Sequence, residues 1–269
     1  MNSTNNDASF GSKLADDDYA RFHLLRKQAS SMDDCQQKKF NEIIQRQSSI
    51  WKGKAVKVLS IGSGTGDFDF QIISSIFANK LAIKKYVCIE PIKENTEPLK
   101  ANLRKVLTED QFEVIESIFE DSDFSTSFDF IHNVHVIHWM KDPVAALKKM
   151  DNLLKENGLV VSVLQSNMGM PRIYDRLKSN LQGGLTAEKL MKKTNAEGLN
   201  YHMDYVSAQL DVTSIIHREE TGKKILQFVI SSKLDENQFE QLILLIKELA
   251  KEENGKFIIE EPFAFITNR

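Results

Sequence analysis

The stretch KVLSIGSGTGDFDF, Lys57 to Phe70, constrains this chain more than any other. Lys57-Val58-Leu59-Ser60-Ile61 is a short apolar run that ends in three glycines at alternate positions, Gly62, Gly64 and Gly66. Beyond them Phe68, Ile72, Ile73, Ile76 and Phe77 recur at helical spacing, so the segment predicts a strand, a glycine turn and a helix. Glycine is needed in such a turn because the backbone enters φ > 0, and because a Cβ would hold the chain away from a ligand lying on the first helical turn. Glycines of this kind also serve plain strand–helix packing, but an acid downstream favours a site for a nucleotide-like group.

Two details bear on which nucleotide. The dinucleotide fingerprint G-x-G-x-x-G would put its third glycine at position 67, where this chain has Asp67. A carboxylate at a helix N-terminus opposes the usual reception of a pyrophosphate there. A phosphate-free cofactor with a cationic centre fits better, and S-adenosylmethionine is the common one. The next strand, Tyr86 to Ile89, leads into Glu90 at the interval where an acid meets ribose hydroxyls. NAD sites use such an acid too, so a nicotinamide-dependent oxidoreductase remains the competing class, with a non-catalytic cofactor-binding protein as a further alternative.

At 269 residues the chain can bury a substantial core as one domain. Its charged fraction of 27% and formal charge of −3 imply no basic face, so nucleic acid is not an expected partner. The start, MNSTNNDASFGSK, is polar without an apolar h-region and is expected to be disordered to about Gly11. No apolar run approaches membrane length, so no membrane partner and a cytoplasmic location are expected. The protein is expected to be a monomer. Cys35 in a polar helical context and Cys88 in a buried strand suggest neither a disulfide framework nor a metal site.

Asp16 to Asp18 suit a helix start, with Tyr19, Phe22 and Leu25 or Arg26 on one face; a second helix begins near Asp33-Asp34 and carries Phe40, Ile43 and Ile44. This pair precedes the first strand and has no place inside a doubly wound sheet, so residues 1–50 are expected to pack over a sheet edge or the cofactor mouth as a lid. The core, 53–269, continues with a helix carrying Leu99, Leu103 and Val106, with Pro98 in its first turn, a strand at Phe112 to Ile115, and a fourth strand at Phe128 to Ile131. Asp142 then reads as an N-cap, Pro143 as the first helical residue and Gly158 as the stop, before a fifth strand at Leu159 to Leu164. Helical patterns at 171–179 and 186–197, a strand pattern from Tyr201 to Ile216, two amphipathic helices and a strand-like end from Phe257 to Thr267 complete the chain. The βαβ series with near-continuous apolar strands predicts an α/β fold, a mostly parallel sheet covered on both faces.

Ligands of open α/β sheets bind beyond the carboxyl ends of the strands, so His132-Asn133-Val134-His135-Val136-Ile137-His138-Trp139 should face the cofactor opposite the glycine turn. The three histidines are three residues apart, which invites a metal reading, but successive i+3 positions rotate round a helix and no carboxylate or cysteine completes a set. Each is equally read as satisfying buried backbone, and Trp139 as a core residue or a stacking wall.

VLSIGSGTGDFDFQI, the Ile89-Glu90-Pro91 triplet, FDFIHNVHVIHWMKD, the Ala145-Ala146-Leu147-Lys148 helix start and the closing FAFI strand together resemble the histamine N-methyltransferase family, over most of the chain. The resemblance implies a Rossmann-like class I methyltransferase fold with a seven-stranded, mostly parallel sheet and an N-terminal helical lid. It implies cofactor contacts at Gly62, Glu90, Asn95 and Val134, with adenine near Ser117 or Ile118, beside Gly64 and Gly66 of the turn itself. On the substrate side, the family's imidazole-holding glutamine falls on His135, pocket tyrosines on His138 and Trp139, and pocket tryptophans on Met170 and Tyr174. A pocket cysteine falls near Gln182. The family's amine-binding carboxylate falls on Gln28 and an asparagine on Glu261, so acid and amide have traded places. The resemblance therefore implies methylation of a small amine or imidazole compound, with Tyr19, Phe22, Trp139, Tyr174 and Phe228 as aromatic walls and His135 or His138 orienting the acceptor.

Overall fold

The computed structural model describes residues 14–176 and 184–269, so the polar start and the position of Gln182 lie outside the described residues. Helices α1 (Asp16–Gln28) and α2 (Met32–Trp51) come first. The alternating series follows as β1 (Ala55–Ile61), α3 (Asp67–Ala78), β2 (Ala82–Ile89), α4 (Lys93–Leu103), β3 (Phe112–Ile115), β4 (Phe128–Val134), α5 (Pro143–Asn152) and β5 (Leu154–Gln165). The remainder is α6 (Pro171–Arg176), α7 (Ala187–Ala196), β6 (His202–Asp211), α8 (Thr213–Ile216), α9 (Glu220–Ile230), α10 (Glu236–Leu249), β7 (Lys251–Glu253) and β8 (Lys256–Thr267).

Among the described residues the strands form one sheet in the order β3-β2-β1-β4-β5-β8-β6, the seven expected, with the short β7 added antiparallel to β8 as an eighth. β1 pairs parallel with both β2 and β4, in a register that sets Ser60 opposite His132 and Ile61 opposite Asn133. The chain order reverses between β1 and β4. At that switch point the glycine turn and the segment after β4 leave the sheet side by side, which is where open α/β sheets hold their ligands.

Two compact units are distinguished within the chain. One comprises residues 36–165, 186–206 and 264–269 and contains the alternating series. Val58, Leu59, Phe130, Ile131, Val160 and Val161 are fully buried there, as parallel strands covered on both faces require. Phe40 and Ile44 of α2, Ile72 and Ile76 of α3, and Leu147 and Met150 of α5 are buried as well. The other unit comprises residues 1–35, 166–185 and 207–263. Its core joins Met170 and Ile173 to Leu210, Ile215, Leu226, Leu242 and Ile246. Gly222 of α9 is part of that packing: a Cβ would meet Ser214 O at 2.3 Å, so α8 and α9 approach backbone to backbone. The second helix, grouped with the lid in the sequence reading, falls with the sheet-bearing unit from Gln36 onward.

Local signals account for most boundaries. Asp142 caps α5 by accepting the amide protons of Val144 and Ala145, both at 3.0 Å, with Pro143 at the first helical position. Three expectations are corrected. Pro98 is the sixth residue of α4 instead of lying in its first turn, so the helix gives up one interior bond. Gly158 does not stop α5, which ends at Asn152; β5 already begins at Leu154, and a register irregularity around Asn157, at φ +64°, absorbs the extra residues. The strand pattern from Tyr201 to Ile216 ends at Asp211, whose Oδ1 accepts from Thr213 N at 3.0 Å and starts the turn of α8.

Candidate active site

All three glycines of the turn have positive φ: +69° at Gly62, +55° at Gly64 and +82° at Gly66. They serve different ends. A Cβ on Gly62 would lie 2.6 Å from both γ carbons of Val136, and one on Gly66 would lie 2.6 Å from Leu99 Cδ1, so these two allow close packing. A Cβ on Gly64 would meet nothing within 4 Å, which leaves open space at the middle of the turn for a ligand. Glu90 stands across from it. Its Oε2 accepts from Gly64 N at 2.8 Å, and its Oε1 accepts from Ile92 N at 3.0 Å and Asn95 Nδ2 at 3.1 Å. One acid thus fixes the turn, and Oε2, with a single bond, keeps acceptor capacity for a hydroxyl. Asp67 opens α3, exposed, and accepts from Thr65 and Asn102 side chains. The donor set suits a diol-bearing, non-phosphorylated cofactor such as S-adenosylmethionine. Val134 ends β4, Ser117 follows β3 with its hydroxyl donated to Ile118 O, and Ile118 is an exposed apolar residue at that same end.

Behind the turn lies a polar chain that sequence reading did not find. Ser63 Oγ donates to Ser60 Oγ at 2.8 Å, and Ser60 in turn bonds the Asp69 carboxylate. From the other side Tyr86 Oη donates to Asp69 Oδ1 at 2.7 Å and lies 2.9 Å from His132 Nε2. Ser60, Asp69, Tyr86 and His132 are all buried. Burial pushes the Asp69 carboxyl up to about 6 and the His132 imidazole down to about 3.

The three histidines go to separate surroundings: His132 lies within β4 and not after it, whereas His135 and His138 follow the strand. His132 meets Tyr86, as above. His135 sits in the left-handed region at φ +54°, and its Nε2 lies 2.6 Å from the amide nitrogen of buried Gln36 on α2. Such a backbone is uncommon for a residue with a side chain and is held only where its surroundings enforce it. His138 lies tilted against Trp139, with ring centroids 4.9 Å apart, its buried Nδ1 has no partner among the described residues, and burial lowers its pKa. Trp139 is 74% exposed, so it is not a core residue.

The remaining expected substrate residues belong to the other unit. Tyr19, half-exposed, and His23 both pack against Phe228, with ring centroids at 4.8 and 5.1 Å. Phe22 is buried as a core residue, Gln28 is exposed at the end of α1, and Tyr174 lies on α6 with its side chain outside the described residues. Glu261 has a partner that the sequence did not reveal: Arg26 Nη2 donates to its Oε2 at 2.7 Å. The pair is buried, at 11% and 2% exposure, with Ser30 Oγ a further 3.5 Å donor. Glu261 Oε1 is buried and has no partner among the described residues.

The strand order, the glycine turn at the switch point and the acid after β2 define a class I methyltransferase, and the comparisons agree. The sequence pattern of the methyltransferase domain family matches residues 23–208, and the chain belongs to that family. The plantazolicin methyltransferase BpumL, solved in complex with S-adenosylhomocysteine, shares the fold at a TM-score of 0.52 and 14% identity, over 95% of this chain and 92% of that one. The YcgJ protein of Bacillus does so at 0.55 and 14%, over 83% and 96%. Among curated sequences the chain is similar to histamine N-methyltransferases: 24% identical to that of Rattus norvegicus over 92% of each chain, and 26% to form B of Xenopus laevis over 83% of each. It is thus an S-adenosylmethionine-dependent methyltransferase, and the oxidoreductase reading is set aside.

Proposed function

We propose that this protein methylates a nitrogen of a small amine or imidazole compound, as a histamine-like N-methyltransferase acting as a cytoplasmic monomer. The observation that carries the reading is the segment after β4, where His135 is braced by Gln36 and His138 keeps an unpartnered buried Nδ1, in register beside the glycine turn. Similarity to histamine N-methyltransferases along most of the chain supports it. S-adenosylmethionine supplies an electrophilic methyl on a sulfonium. Gly62, Gly64 and Gly66 would admit it, Glu90 and Asn95 would meet its ribose, and Val134, Ser117 and Ile118 would flank its base. Methyl transfer needs a neutral nitrogen held about 3 Å from the methyl along the S–C axis, so most of the catalysis is positioning. His138, kept neutral by burial, offers Nδ1 as an acceptor for a substrate N–H. His135 orients the acceptor ring or amine. Trp139, exposed beside His138 just after β4, would shield the acceptor from water. Glu261 is already neutralised by Arg26, so its Oε1 suits an N–H or O–H donor better than a lone ammonium, with Gln28 as a further polar group. Labelled-methyl transfer against a panel of imidazoles, biogenic amines and alcohols tests the proposal. Transfer to a nitrogen compound is expected; transfer only to oxygen or carbon acceptors, or to none while S-adenosylhomocysteine binds, would overturn it.

A further inference from the structure

We propose that the buried chain Ser63-Ser60-Asp69-Tyr86-His132 is a positioning device for the cofactor turn, with the ionised Asp69 carboxylate as its anchor. The inference rests on the cofactor assignment. Two hydrogen-bonded arms converge on this one acid. One runs from Ser63, inside the glycine turn, through Ser60 of β1. The other runs from His132 of β4 through Tyr86 of β2. The Asp69 backbone N–H points to it as well. Because Tyr86 donates its only proton to Asp69, it must accept from His132, which places the ring proton on Nε2. Every donor thus points inward to a negative terminal acceptor, and the last link on one side is a residue between two glycines of the turn.

Ring packing supports this second arm. His132 is enclosed by Phe130 at 5.2 Å and Phe40 at 6.0 Å, and neither offers it an alternative partner. The chain ties β1, β2, β4 and the first turn of α3 together beneath the site, and the part-buried Ser63–Ser60 bond joins the turn to this buried acid, so the turn cannot move without breaking that link.

The anchor also makes the device sensitive to pH. The titratable groups facing Asp69 are Tyr86 and Cys88 of β2, Glu90 beyond it, and His132 of β4. Tyr86 and Cys88 are pushed well above their ordinary values and His132 down to about 3, so Asp69, at about 6, is the member of the buried chain that changes charge in mild acid. On gaining a proton it loses its charge and turns one oxygen into a donor, so the charge-assisted bonds of both arms weaken together. The Ser63 arm is loosened with them, and the tether of the turn weakens.

Calorimetric titration of S-adenosylhomocysteine, with thermal melts alongside, tests this. Wild-type affinity is expected to fall roughly three- to tenfold as pH drops from about 7.5 to about 5, the factor for one hydrogen bond of ordinary net strength. Asp69→Asn should show the low-pH affinity at both pH values. Ser63→Ala, at a half-exposed position, should weaken binding by a similar factor at the higher pH with an unchanged melting temperature. Tyr86→Phe, which takes away one donor to the carboxylate, is expected to move the fall in affinity to higher pH. If Ser63→Ala binds as wild type does, and Asp69→Asn keeps the wild-type pH profile, the chain is only core structure and the inference falls. Wild-type protein that does not bind S-adenosylhomocysteine at all would instead remove the cofactor assignment beneath it.

Discussion

Replacing Glu261 with glutamine removes the charge that Arg26 faces while leaving the side chain nearly isosteric. Arg26 Nη2 lies 2.7 Å from Glu261 Oε2. At an effective dielectric near 20 that separation corresponds to about 6 kcal/mol of gross attraction, most of it offset by the desolvation of both groups. The cost of breaking the pair is set by what remains. A guanidinium left without its anion in a buried place costs ~3–5 kcal/mol, and because Arg26 keeps 11% exposure, water can reach it and the lower end applies. Glu261→Gln should therefore lower stability by about 3 kcal/mol, which is a melting-point drop of roughly 6–12 °C for a chain of this size. Arg26→Met alone should cost a similar amount, since it strands the carboxylate. The double variant Arg26→Met/Glu261→Leu, which removes both charges and fills the volume, should lie within about 1 kcal/mol of wild type. Thermal melts and urea titrations of the four proteins check this. Glu261→Gln melting within about 1 °C of wild type would show that the carboxylate is not committed to Arg26, and would return it to service as an uncompensated anchor for a cationic amine.

Other perturbations reach the remaining parts. Glu90→Ala should weaken S-adenosylhomocysteine by ~1.5–3 kcal/mol in calorimetry, the range for a charge-assisted group, and an unchanged affinity would remove the acid from the cofactor site. His135→Asn, chosen because asparagine tolerates the left-handed backbone at φ +54°, should lower kcat/KM against the best acceptor with cofactor affinity within about twofold; equal losses in both would assign His135 to the cofactor shell. Gly62→Ala should destabilise by about 1–3 kcal/mol through its φ and its clash with Val136, and Val136→Ala in the same chain should relieve only the second part. In acid, two buried groups oppose each other. His132, lowered to about 3, contributes stability above its ordinary value that is lost as pH falls toward 3. Asp69, raised to about 6, contributes stability below the ordinary carboxylate value that is lost as pH rises through 6. Wild-type stability should therefore change little from these two between about pH 4 and 6, whereas Asp69→Asn should lose about 1 kcal/mol per pH unit on acidification there, measured by urea titration.

The local part of this fold was legible because its signals are local. Glycines at 62, 64 and 66, an acid at 90, and the Asp142-Pro143 cap each carry their meaning within a few residues. What was missed turns on two physical circumstances. One is degeneracy of the signal. Gly158 satisfies the same rule as a helix stop, although the left-handed position belongs to Asn157, and the β-branched run Val212-Thr213 reads as strand although Thr213 N turns back to the Asp211 carboxylate. Asn254-Gly255 is a two-residue hairpin signal, both residues at positive φ, but the flanking β7 is only three residues long and exposed, too short to show alternation. The other circumstance is distance along the chain. Arg26 and Glu261 are 235 residues apart, and Ser60, Asp69, Tyr86 and His132 come from four elements, so nothing in their neighbours announces the pairing. Gln36 was more accessible, since it lies at i−4 and i−7 from Phe40 and Ile43 and so belongs to the buried face of α2.

The two tryptophans of this chain occupy opposite extremes of environment. Trp51 is 2% exposed and packs against Phe130, whereas Trp139 is 74% exposed beside His138. The intrinsic fluorescence of the protein therefore has two separable components: a short-wavelength band that iodide cannot reach, and a long-wavelength band that iodide quenches. The buried indole serves as an internal reference. Any molecule that settles over the end of β4 shields the exposed one, so acceptor binding can be followed without label, without turnover and before the acceptor's identity is known.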